Sequence, residues 1–154
     1  MKNLITGAVV GLGLLAAGAL VAAPNFANDP LYGTVELAGG FMPDPHTVQV
    51  TAGGPDNVRE MGIGATCVGY ISASQPDVRL NFQAGSLPLT IKAASNADTT
   101  IVINAPDGSW HCNDDFEGLN PGVRFQPALS GQYDIWVGTY SQGTAPAQVL
   151  ITEL

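Results

Sequence analysis

The loop Asn113-Asp114-Asp115-Phe116-Glu117 packs three carboxylates and one amide oxygen into five consecutive residues. Oxygen donors at that density suit a hard cation such as calcium, which collects carboxylates and carbonyls in a flexible shell. Asp98 or Asp107, on neighbouring turns, can complete such a shell. The spacing is not that of an EF-hand, so a second reading stands beside the first: a solvated turn whose Asn and Asp side chains bond their own backbone.

Aromatic residues supply another kind of chemistry. Along 132–140, alternation puts Tyr133, Ile135 and Val137 on one face and Asp134, Trp136 and Tyr140 on the other. Exposed Trp136 and Tyr140 beside a carboxylate, joined by Trp110, can stack on sugar rings. The alternative is that Trp136 is buried under a loop, for which the N-terminal segment is available. Hydrolytic chemistry is poorly supplied. The only histidines are His46 and His111, and no serine sits in a Gly-x-Ser-x-Gly elbow. Asp114 and Glu117 could be imagined as a glycosidase pair, but a turn offers little burial to separate their pKa values. No catalytic residue is expected.

Residues 4–23 carry no charge and follow Met1-Lys2-Asn3. Small residues at Ala22, Ala23 and Ala27 fit a secretory signal peptide over 1–27. A retained membrane anchor is disfavoured by Gly7, Gly11, Gly13 and Gly18 and by the lack of a basic cluster behind the stretch. Residues 28–154 then form one domain, large enough for its own core. They hold all 13 acidic residues against Arg59, Arg79, Lys92 and Arg124. That surface repels phosphate backbones and anionic lipid heads, so neither nucleic acid nor membrane is an expected partner of the mature protein. In an exported chain, Cys67 and Cys112 read as one disulfide, worth roughly 4 kcal/mol for a loop of this length.

Short alternating apolar runs recur with turn formers between them, and no long helical period follows residue 30. Strands are expected at 33–37, 47–51, 66–72, 78–82, 87–94, 99–104, 123–126, 132–139 and 147–152. Val78, Leu80 and Phe82, with Leu89, Ile91 and Ala93, should face the core. The unbroken run Ile101-Val102-Ile103 suits a strand covered on both sides. The fold class is all-β: a two-sheet antiparallel β-sandwich of jelly-roll-like form. Residues 31–64 should add flanking strands and loops.

The order Asp98-Thr99, Asp107-Gly108, Asn113-Asp114-Asp115, Gly131-Gln132-Tyr133 and Gly138-Thr139-Tyr140 over 67–154 resembles the bacterial pre-peptidase C-terminal domain. That resemblance implies a secreted, non-catalytic accessory β-sandwich, often appended to hydrolases. This chain instead carries the domain alone behind its leader. The expected protein is a non-catalytic exported binding or surface protein, secreted or periplasmic and open to calcium stabilisation. Two alternatives are a carbohydrate-binding module and a hydrolase-associated accessory domain. Extracellular polysaccharide or a secreted protein are the partners either role would require.

Overall fold

A computed structural model describes residues 21–154. Most of the expected leader, 1–27, therefore lies outside the described residues. Among the described residues eleven strands form: β1 (Thr34–Ala38), β2 (His46–Gly54), β3 (Asp56–Asn57), β4 (Tyr70–Ile71), β5 (Val78–Gln83), β6 (Leu89–Ser95), β7 (Thr99–Asn104), β8 (Trp110–Asn113), β9 (Gly122–Phe125), β10 (Gly131–Thr139) and β11 (Gly143–Thr152). They make two sheets. One runs β1-β5-β10-β4-β3, with β7 on the other side of β10 and β8 beyond it; the second runs β2-β11-β6-β9. All pairings are antiparallel except β1 with β5. The protein is an all-β two-sheet sandwich.

Alternation sets the core. Val78, Leu80 and Phe82 of β5, Leu89, Ile91 and Ala93 of β6, and Tyr133, Ile135 and Val137 of β10 meet Val149 and Ile151 of β11 between the sheets. Burying each Val, Leu, Ile and Phe side chain of this set contributes about 1.5–3 kcal/mol of transfer free energy. Every residue of β7 is buried: Ile101 and Ile103 belong to this core, Val102 to a second one on the other side of the same sheet. The apolar run in β7 thus has the cause expected of it.

That second core explains the main departure from the expected strands. Only Tyr70–Ile71 of the stretch 66–72 is strand. The chain before it crosses the outer face of the larger sheet through a 3-10 turn, Val58–Met61. Asn57 caps this turn by accepting from the Arg59 amide, and its own amide donates to Glu60. Gly62 ends it at φ 66°, where a side chain would be strained. Val58, Met61, Cys67 and Ile71 press onto Val102 and Trp136. The cover lies so close that a Cβ on Gly138 would stand 2.7 Å from the Tyr70 carbonyl oxygen.

Strand β8 was not expected. Trp-His-Cys-Asn has no clean alternation, and the tight turn before it, closed by Gly108 N–H to the Ala105 carbonyl at 2.9 Å, reads in sequence as part of a long loop.

Asp77 closes a gap in the larger sheet. The pairing of β10 with β5 ends at Ile135 and Val78, and that with β4 is at Thr139 and Tyr70. Between them the Val137 amide donates to Asp77 Oδ2 at 2.7 Å. A side-chain carboxyl oxygen thus satisfies a ladder amide that no strand reaches.

Candidate functional site

The outward side chains of the larger sheet form a grid fixed by strand register. One row is Glu36, Asn81 and Gln132 on β1, β5 and β10. The next is Thr34, Arg79, Asp134, Asn104 and Trp110, continuing onto β7 and β8. A third is Trp136, Val102 and Cys112. The apolar third row lies under the cover, and the polar first row is open.

The middle row is the boundary. Asp134, only 2% exposed, accepts from Arg79 Nε at 2.7 Å and from Gln132 Nε2 at 2.7 Å. The Arg79 guanidinium also donates to the Phe26 and Asn28 carbonyls at 2.6 and 3.0 Å. It thereby ties down an N-terminal strap that Asn25 N–H to the Ala73 carbonyl and Asn28 to the Ser74 carbonyl hold along the neighbouring segment. The strap's contacts with the domain begin at buried Pro24, four residues before the expected domain boundary at 28.

Two clefts lie along the open rows. The larger, about 520 Å³, is lined by Glu36, Asn81, Gln83 and Gln132 over a floor that includes Phe82 and Gly131. Its neighbour, about 390 Å³, shares Gly131 and Gln132 and adds Phe26, Asn104, Trp110 and Asp134. Asn81 Nδ2 donates to Glu36 Oε1 at 2.6 Å across the parallel strand pair.

The expected aromatic site divides. Trp136 is 0% exposed, packed against Val58, Met61 and Ile71, so it has no face to offer a sugar. The covering is the 3-10 turn and the disulfide-held segment, with Trp110 between Trp136 and Phe26 of the strap at centroid distances of 5.6 and 6.3 Å. Tyr140 is exposed but stands past the end of β10, away from Trp110. These three aromatics do not form one platform. Cys67 and Cys112 are bonded, with Cα atoms 5.0 Å apart, and fasten the cover to β8.

The acidic loop is also divided by its contacts. Asn113 lies in β8 and its Oδ1 accepts from Gly122 N–H at 3.0 Å, while Glu117 pairs with Lys92 at 3.0 Å. Asp114, Asp115 and Asp98 remain near one another. Burial, then the charges of Asp115 and Asp114, hold the Asp98 carboxyl above the ordinary carboxylate range, and its Oδ1 is enclosed without a partner. Among the described residues no three His, Cys, Asp or Glu side chains converge as a metal-holding group.

A contact missed in the sequence links Asp107, Ser109 and His111. Ser109 Oγ donates to Asp107 Oδ1 at 2.5 Å and lies 2.9 Å from His111 Nε2. With its proton directed at the carboxylate, the hydroxyl must accept from the imidazole, the reverse of what a general base needs. The bonds to the Ser109 side chain and amide hold the Asp107 carboxyl below its usual range. Residues at i, i+2 and i+4 across a tight turn would have revealed this brace had β8 been recognised. The Gly131-Gln132-Tyr133 motif has a similar explanation, since the Tyr133 hydroxyl donates to the Leu129 carbonyl at 2.8 Å and accepts its N–H at 2.9 Å.

No family model and no curated protein matches the chain. Among solved structures, it is similar to Aeromonas hydrophila PliG, a periplasmic lysozyme inhibitor of g-type lysozyme, at 12% sequence identity and a TM-score of 0.37, over 81% of this chain and 98% of that one. Likeness at that level leaves the site to be read from this chain's own residues.

Proposed function

We propose that the chain is an exported, non-catalytic binding protein whose contact face is the open half of the larger sheet. The observation that carries this is the pair of adjoining clefts over the Glu36–Asn81–Gln132 row, on strands whose opposite faces are locked in the core. Side chains on rigid strands can meet a ligand without the ordering cost a loop incurs. Export is supported by the disulfide, which persists in oxidising compartments, and by the leader-like sequence at the start. The resemblance to pre-peptidase C-terminal modules agrees with a binding rather than a chemical role.

Calcium enters this proposal as a stabiliser at the other end of β10, where Asp98, Asp114 and Asp115 become donors only if the 113–117 loop closes around the ion, since the three carboxyls do not converge as the loop stands. Its check is the melting temperature, which should rise in millimolar calcium and lose that rise in Asp114→Asn/Asp115→Asn.

The binding role is tested by immobilising the mature protein and passing over it the envelope fraction of the producing cell. Saturable retention that disappears in Asn81→Ala/Gln132→Ala and survives in Tyr140→Ala is expected. Retention indifferent to the double substitution, or turnover of ester, peptide or glycoside substrates, would contradict it.

A further inference from the structure

We infer that the two adjoining clefts bind a neutral oligosaccharide, with Asn81 and Gln132 as the central hydrogen-bonding pair and Phe26 and Trp110 as the apolar wall. This rests on the binding role proposed above and names its ligand. Three features of the clefts point the same way.

The first is the kind of polar group on offer. Asn81, Gln83 and Gln132 are uncharged amides. Asn81 and Gln132 give one N–H each, to Glu36 and Asp134 respectively, and keep a second N–H and the carbonyl oxygen to offer. Asn81 and Gln132 stand side by side on strands about 4.8 Å apart, with Glu36 beyond them. Neighbouring hydroxyl groups of a sugar also donate and accept, so a row of amides can match them in pairs.

The second is charge. Among the described residues no lysine or arginine lines either cleft, and Arg79, bonded to Asp134, is already occupied by that carboxylate and the strap carbonyls. A phosphate, sulfate or uronate would find no counter-charge and would meet Glu36. A neutral ligand encounters neither obstacle.

The third is shape. The clefts are open grooves that meet at Gly131 and Gln132, a form in which a linear chain can lie along the strand rows without being enclosed. Phe26, 49% exposed, and half-buried Trp110 line the second cleft at the end of the amide row, where the C–H face of a sugar ring can pack. Phe26 belongs to the strap that Arg79 holds, so the wall requires a leader cut after Ala22 rather than Ala27 and a docked strap.

The test is an NMR titration of the 15N-labelled protein beginning at Ala23, which keeps the strap, with cellohexaose, chitohexaose and mannohexaose, and with hexagalacturonate as an acidic counterpart. A neutral oligomer should shift the side-chain amides of Asn81 and Gln132 and the Trp110 indole. Asn81→Ala and Gln132→Ala should each weaken that oligomer's binding about fivefold to tenfold, and Gln142→Ala should leave it unchanged. Preference for the acidic oligomer, shifts confined to Tyr140 or to 113–117, or no shift with any oligomer would overturn the inference. Should the oligomers fail while envelope retention still depends on Asn81 and Gln132, the ligand class falls and the binding role stands. Should retention also ignore those residues, both fall.

Discussion

Gln132 and Trp136 lie four residues apart on one strand and point to the same side of one sheet, yet one is exposed and the other has no solvent contact. The difference lies in what crosses above them. Over Trp136 runs the segment from the 3-10 turn to Cys67, fastened to β8 by the disulfide. Over Gln132 none of the described residues crosses, and the Arg79–Asp134 pair with the strap marks the border. Strand parity decides which face a side chain takes. Long-range covering decides whether that face is core or contact surface.

Breaking the cover should have the largest effect. Cys67→Ala/Cys112→Ala should cost ~4 kcal/mol in urea unfolding, and the emission of Trp136 should shift to the red as its lid loosens. Unchanged stability and emission would mean that apolar packing alone holds the cover. Breaking the border comes next: Arg79→Ala leaves Asp134 buried without its cation and frees the strap, a loss of ~3 kcal/mol. Limited proteolysis should then cut within 24–31 before the rest of the domain unfolds, and simultaneous loss of both would show that the strap is not a separate unit.

A pH experiment sharpens the comparison, because Asp77 holds the sheet together beside the covered half. Burial raises its pKa from 3.8 to about 7, opposed by the bond from the Val137 amide. The folded state therefore keeps a proton that the unfolded state releases, so stability is greatest below the unfolded value and falls as pH rises from about 4 to about 7. Asp77→Asn retains an oxygen for the Val137 amide and should flatten that slope, making the variant more stable than the parent by ~2 kcal/mol at pH 8. Parallel pH profiles for the two proteins would assign the slope elsewhere. The smallest effect belongs to the open half, where exposed Gln83→Ala should change stability by less than ~0.5 kcal/mol.

Much of the fold was legible because alternation and turn chemistry are local. β5, β7 and β10 stand within a residue of their expected ends, and Val78, Leu80 and Phe82 face the core as their period requires. The disulfide was legible from the number of cysteines in a chain with an export-like start. What stayed hidden was non-local. Trp136 has the right parity for a surface ligand site, and only the path of 58–71 across it removes it from solvent. Asn113 has the right type for a cation ligand, and only the strand pairing of β8 turns it to the Gly122 amide. The Glu36–Asn81–Gln132 row could not be seen at all, since it is assembled by the register of β1, β5 and β10 over nearly a hundred residues of chain.

Acrylamide quenching of the two single-tryptophan proteins, Trp110→Phe and Trp136→Phe, tests the division of the outer face most directly. Trp136, observed in Trp110→Phe, should emit in the blue and be almost unquenched, and Trp110, observed in Trp136→Phe, should be readily quenched. Equal quenching of the two, or Trp136 the more accessible, would contradict a sheet face that is half core and half contact surface.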